Sequence, residues 1–247
     1  MRGENSGFPK EPRTVIIAKY SPGRAQVLDS DLTVFLQKTF GCSPEIAASI
    51  GRRCVERRYP VRAIIIKQGD RIDATFLLIA GRVHALSFGA DGQLVLVHEF
   101  LAGDFFGAVA QAEPLPADTD VQAVETSRTA VFQLRDFLAL IETHACVGLA
   151  VSKMLLTQLR ATAAKMVERA TLSATGRIHA ELLRLARLGD GRAIRPAPML
   201  SVLAVRVHST RETVSRTINA LVRRGILRRE GSALVIVAPQ RLEDMIV

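Results

Sequence analysis

The sequence predicts an α+β fold, with an antiparallel β domain, a long helix and a C-terminal winged helix-turn-helix, and three features predict it. Between residues 63 and 134, short runs rich in β-branched and aromatic residues alternate with glycine-bearing turns, the pattern of an antiparallel barrel or sandwich. From Phe137 to about Arg169 the apolar period turns helical: Val151, Leu155, Leu159, Thr162 and Met166 step by three or four. Near the C-terminus a short amphipathic segment, a tight turn, a capped helix and a hairpin pattern follow in order, which is a winged helix-turn-helix.

Residues 1–27 hold Gly3, Gly7, Pro9, Pro12, Pro22 and Gly23 among scattered charges, so a disordered arm is expected there. Asp31 to Arg58 shows helical spacing, with Leu32, Phe35, Leu36 and Phe40 first and Ile46, Ala47 and Ile50 later. Ser43-Pro44-Glu45 reads as an N-cap followed by proline at the first helical position. Strands are expected at Ala63–Ile66, Thr75–Ile79, Arg82–Phe88, Leu94–Phe100, Val121–Val124 and Ala130–Leu134. His84 and His98 lie on these strands. A cupin-type metal site needs a His-x-His pair, and none occurs, so both histidines are expected to bond to neighbours.

The long seam through Val151, Leu155, Leu159, Thr162 and Met166 is of the kind that pairs helices. A second row, Leu156 and Ala163, could pack on the chain's own barrel at the same time. Thr171 to Gly176 reads as a hinge, and Ile178, Leu182, Leu183 and Leu185 open the last domain. The domain boundaries are therefore set at 28–148 for the β domain, 149–170 for the dimerisation helix and 171–247 for the winged helix.

Leu200, Leu203, Ala204 and Val207 form the first helix of the helix-turn-helix. In the second, Thr210 caps, and Val214, Ile218, Leu221 and Val222 form the inner stripe. Arg211, Glu212 and Arg216 are left on the outer face. Arginine can donate two bonds to guanine O6 and N7, and glutamate accepts from cytosine N4. Ser209, Thr210, Thr213 and the helix-start amides suit phosphates, and Arg228 and Arg229 on the hairpin could add to them. The charge agrees. The chain carries a formal +9. Thr171 to Val247 alone holds 13 arginines, no lysine and six acidic residues. Double-stranded DNA is the expected partner.

The run Arg211-Glu212-Thr213-Val214-Ser215-Arg216 resembles the recognition helix of the Crp–Fnr family of bacterial transcription regulators. Ala174 to Leu183 resembles that family's hinge-to-domain segment, and Gly103-Asp104-Phe105-Phe106-Gly107 its effector cassette. The three lie in the family's order. The resemblance implies a β-roll of the cyclic-nucleotide-binding type, a homodimer through the long helix, an inverted repeat of TGTGA-like half-sites and RNA polymerase as a partner. It implies a regulator and not an enzyme. The odd count of dispersed cysteines and the short apolar run Thr14–Ala18, too brief for a signal peptide, lead to the expectation of a cytoplasmic protein. Gly107, Ala108, Thr119, Asp120 and Thr162 fall on the family's effector pocket, and Gly103–Gly107 is expected to lead into a turn whose amides face an anion.

Cyclic-AMP sites in this family use a glutamate just after the second glycine and an Arg-Ser pair further on. Ala108 and Thr119-Asp120 stand there instead, which argues against cyclic AMP in the usual pose; no cofactor is assigned. Arg128 and Arg160 are candidate replacement cations. A cyclic dinucleotide is the alternative effector, and a ligand-binding β-barrel enzyme with an accessory helical domain the alternative class. Val202 replaces a residue that is acidic in many relatives, so the first helix is expected to be shorter and capped from Ser201. Cys42, Cys54 and Cys146 are too dispersed for a metal cluster, and no run is long enough for a membrane span.

Overall fold

The computed structural model describes residues 30–89 and 94–246, so the expected arm lies outside the described residues. Helices α1 (Ser30–Phe40) and α2 (Pro44–Gly51) come first. Then come β1 (Cys54–Tyr59), β2 (Ile64–Ile66), β3 (Arg71–Ile72), β4 (Ala74–Ala80), β5 (Val83–Phe88), β6 (Leu94–Phe100), β7 (Phe105–Gly107), β8 (Leu115–Pro116), β9 (Asp120–Ala123) and β10 (Ser127–Gln133). Helices α3 (Leu134–Thr143), α4 (Ala145–Thr171) and α5 (Ala174–Arg187) follow. The chain continues through β11 (Ala193–Ile194), α6 (Leu200–Arg206), α7 (Arg211–Arg223), β12 (Leu227–Glu230), β13 (Ala233–Ile236) and α8 (Pro239–Glu243).

Contacts divide the chain into two units. The first runs to Ser87 and resumes from Val97 to Met154; the second takes Phe88–Leu96 and everything from Leu155 on. The strands of the β domain form two four-stranded antiparallel sheets, ordered β1-β10-β4-β7 and β2-β9-β5-β6, with a small β3-β8 ladder. The first sheet is buried on both faces. Phe76, Leu78, Phe106 and Val131 join the core between the sheets, while Leu77, Phe105, Ala130 and Phe132 join a second core under α1, α2, α3 and the start of α4. Two-sided burial explains why β4 reads as a nearly unbroken apolar run instead of an alternating one. The neighbours Phe105 and Phe106 feed the two cores: Phe106 stacks on Phe76 with centroids 5.0 Å apart, and Phe105 meets Phe137 at 5.5 Å.

Two expected elements need correction. The helical spacing does not run to Arg58: α2 ends at Gly51 and residues 54–59 are a strand, paired along its length from Cys54↔Phe132 to Tyr59↔Ser127. This register sets Arg58 opposite Arg128. Glu56 offsets the repulsion, accepting two bonds from Arg128 at 2.8 and 3.0 Å with Arg58 at 3.7 Å. Nor is residue 137 to 169 one helix. His144 is extended (φ −126, ψ 101), and α3 and α4 meet there at 109°. The cap at Ser43 forms as expected, its Oγ accepting from Ile46 N at 3.4 Å.

In the second unit, α5, α6 and α7 bury Ile178, Leu182, Leu203, Val214, Ile218 and Leu221 against Leu227, Leu234 and Ile236 of a three-stranded sheet ordered β11-β13-β12. Strand β11 and helix α8 were not expected from sequence. Helix α4 is different. From Leu155 to Thr171 every residue except Gln158 is exposed, including Leu155, Leu156, Leu159, Ala163, Met166 and Val167. The second row, Leu156 and Ala163, is exposed together with the first.

Gly107 shows how tightly β7 is held. Its φ is +84, and a Cβ there would lie 2.6 Å from the Ala74 carbonyl oxygen and 2.8 Å from the Phe76 ring. Gly107→Ala should lower stability by about 1–3 kcal/mol from the backbone conformation alone, and by more with the clash. Urea denaturation measures it; an unchanged midpoint would show that β7 yields.

Candidate nucleic-acid interface

Thr210 is extended (φ −86, ψ 154), and its Oγ1 accepts from Thr213 N at 3.1 Å, closing the N-terminus of α7. Val214, Thr217, Ile218 and Leu221 are buried, and the Thr217 hydroxyl donates to the Thr213 carbonyl at 2.9 Å. Arg211, Glu212 and Arg216 remain exposed on the opposite side, with Asn219 one turn further along. Asn219 lies outside the Arg211–Arg216 run and carries no motif signal of its own. Its Oδ1 accepts from Arg229 at 3.0 Å, tying β12 to α7. Arg228 instead donates to Glu230 at 2.7 Å. Thr213 and Ser209 are half-buried.

The turn before α7 is held from several sides. His208 has φ +49, and Ser209 N donates to the Ala204 carbonyl at 3.0 Å. The His208 ring meets Arg169 through Nε2. Burial pushes the His208 imidazole below its ordinary range, and Arg169, Arg177 and Lys165 push it the same way. The first helix does not begin at Ser201. Its N-cap is Met199, which makes no side-chain cap, and the Met199 carbonyl takes the first helical bond, from Leu203 N at 3.0 Å. The chain leaves extended geometry two residues before the serine, so Ser201 stands inside α6.

Four amides in and just after the Gly103–Gly107 cassette bond within the protein. Gly103 N donates to Leu78 O at 2.8 Å, Asp104 N to Leu101 O, Ala108 N to Ala74 O and Val109 N to Gly107 O, each at 2.9 Å. Phe105, Phe106 and Gly107 pair with β4. Burial raises the Asp104 carboxyl above its ordinary range; the Leu101 N–H, 2.8 Å away, opposes that, as does His98. Ala108 is buried, and its carbonyl accepts from the Thr75 hydroxyl at 2.8 Å.

Gly107 and Ala108 thus close one sheet, Thr119 and Asp120 lead into β9 of the other, and Thr162 stands exposed on α4. Asp120 Oδ1 accepts from Gln68 N at 2.8 Å and holds the turn there. Of the two candidate replacement cations, Arg128 is engaged by Glu56 and Arg160 is exposed on α4. His84 Nε2 lies 3.1 Å from Glu99, which also meets Arg82 at 3.5 Å, and His98 packs on the Phe100 ring. Among the described residues no three histidines, cysteines or carboxylates converge as metal ligands, and no single helix is long and apolar enough to cross a membrane.

Residues 56–144 match the family described as cyclic nucleotide-binding domain, and residues 176–245 the Crp-like helix-turn-helix domain. The chain is 26% identical over 191 residues to the cAMP-activated global transcriptional regulator Vfr of Pseudomonas aeruginosa, covering 74% of this chain and 89% of that one. Its fold is similar to that of a CooA mutant from Carboxydothermus hydrogenoformans (TM-score 0.70, 19% identity, 86% of this chain and 95% of that one). It is also similar to the c-di-GMP responsive global regulator CLP of Xanthomonas campestris (TM-score 0.68, 20% identity, 79% and 100%). Relatives of this kind are transcription regulators and not enzymes.

Because His208 is held below its ordinary value, the unfolded chain binds the proton more readily. The stability His208 supports is present above the unfolded value of about 6.5 and is lost as the pH falls toward the folded value. Thermal melts should drop as the pH is lowered below about 6.5, and drop less in His208→Asn, which tolerates positive φ. Parallel curves would exclude His208 as the source.

Proposed function

We propose, for a chain that belongs to the Crp–Fnr family of bacterial transcription regulators, that it acts as a cytoplasmic homodimer on an inverted repeat of TGTGA-like half-sites. The observation that carries this reading is the outer face of α7. Arg211, Glu212 and Arg216 stand exposed there, on a helix fixed by its buried stripe and by the Thr210 cap. Arg211 and Arg216 would each donate to a guanine, and Glu212 would accept from a cytosine. Ser209, Thr210 and Thr213 lie at the helix start, where amides and hydroxyls suit phosphates. Arg229 and Arg228 would reach the backbone from the wing.

The exposed half of α4 supports the dimer. Leu155, Leu159 and Met166 are 47%, 66% and 66% exposed in the single chain. Val151, expected to begin the same seam, is instead buried in the core under the first sheet, so the row open to a second copy starts at Leu155. Thr162 lies between them in sequence. A soluble chain gains by covering such a row, and a second copy offers the same row in return. Two-fold pairing would set the reading helices about 34 Å apart, one turn of the duplex. RNA polymerase would be engaged from the DNA-bound dimer.

For the effector, the reading is a ligand other than cyclic AMP in the usual pose. A cyclic phosphate carries a full negative charge, and burying it needs a cation. Asp120 adds a negative charge, Ala108 offers the ribose no carboxylate, and Arg128 is already paired. The regulator CLP is described as c-di-GMP responsive, and a cyclic dinucleotide is the alternative for this chain.

Three measurements test the reading. Arg216→Ala should cost about 1–3 kcal/mol on the palindrome and little on random duplex; equal losses would restrict Arg216 to phosphate. Leu159→Glu would place a charge in the helix pair and should sediment as a monomer, whereas a persisting dimer would reject the seam. Calorimetry should detect no binding of cyclic AMP at micromolar protein. Tight cyclic AMP binding that strengthens DNA binding would reverse the effector assignment.

A further inference from the structure

Arg177 stands in the first turn of α5, yet its side chain serves two other segments. Nη1 donates to the Leu172 carbonyl at 2.9 Å, Nε to the Val207 carbonyl at 3.0 Å and Nη2 to the His208 carbonyl at 3.4 Å. Leu172 is one of the two residues between α4 and α5. Val207 caps the end of α6, and His208 forms the turn into α7. One planar guanidinium therefore joins the α4–α5 connection to the turn of the helix-turn-helix. From this we infer that Arg177 is the positioning residue of the reading helix.

The physics favours this assignment. The last carbonyls of α6 have no partner within the helix and lie at its negative end, where a cation is favoured. His208 holds a left-handed conformation that a residue with a Cβ adopts only when its surroundings require it. Its carbonyl is held by Arg177, and its ring meets Arg169 from the last turn of α4. Arginines on both sides of the α4–α5 connection thus fix one residue. Thr210, the cap of α7, lies two residues further on, and Arg211 and Glu212 follow at once. An error in the turn would therefore pass directly to the groups proposed to read bases. Lysine could not replace the arginine, because a single ammonium has no rigid fork with which to span carbonyls from separate segments.

The consequence for DNA rests on the proposed function; the clamp itself does not. Arg177→Lys and Arg177→Gln should be made in the full chain. Amide hydrogen exchange over residues 203–214, measured without DNA, should quicken by about tenfold or more in both, with global melting changed much less. Affinity for the TGTGA-like palindrome should fall by a similar factor, while random duplex is bound as before and the salt dependence keeps its slope. Unchanged exchange in either variant overturns the inference. So does a uniform loss on all duplexes with the slope reduced by about one, since Arg177 would then be holding a phosphate. If Gln prevents folding, Lys decides. Should the unaltered chain show no preference for the palindrome, the functional reading fails, and the exchange data still judge the clamp.

Discussion

Leu77, Ala130 and Phe132 face one side of the first sheet while Phe76, Leu78 and Val131 face the other, so β4 and β10 need a cover on each side. The second sheet is one cover. The other is α1, α2, α3 and the first turns of α4, which is why helices drawn from both ends of this unit converge on the same strands. Phe105 and Phe106 connect the covers. Each buries an aromatic ring worth about 2–3 kcal/mol, in opposite directions, and the backbone between them is left no freedom. Hence β7 is closed by a glycine, and the amides of Gly103 and Ala108 on either side of it are spent on β4.

Much of this was legible in the sequence. Where burial is one-sided and a cap is present, as in α7, the period of Val214, Ile218 and Leu221 and the hydroxyl of Thr210 located the helix and its first residue. Six strands were visible as β-branched runs. Strand β1 was not, because Glu56, Arg57 and Arg58 mask its alternation and the apolar spacing of α2 runs up to it. The break at His144 left no trace either, since the apolar residues on both sides continue in helical steps. Ser201 misled for a related reason: a hydroxyl caps only where the backbone is still extended, and that point is set by Met199.

The charged side chains divide by what they face. In the β domain, Arg128 is matched by Glu56 and Arg82 by Glu99 and Glu125, and Asp120 accepts from a backbone amide. These groups hold strands and turns together. Sequence alignment to a family pocket cannot reveal this, because it reports the residue type at a position and not the partner that occupies it. On α7, by contrast, Arg211, Glu212 and Arg216 stand on the surface with their helix already secured by other residues. Chemistry left over after folding is available for recognition, and the side chains of the two regions differ in this respect far more than in composition.

The wing carries the same distinction within two neighbouring residues. Arg229 is held by the neutral amide of Asn219 and brings its whole charge to whatever it meets. Arg228 already has Glu230 beside it, which makes that carboxylate a counterion built into the protein. When a polyanion approaches, Arg228 must exchange one negative partner for another, and Glu230 is then free to gather a small cation from solution. Part of the ion release that drives basic proteins onto DNA is thereby given back. In the proposed complex with DNA, the wing would thus be less sensitive to ionic strength than a count of its arginines suggests.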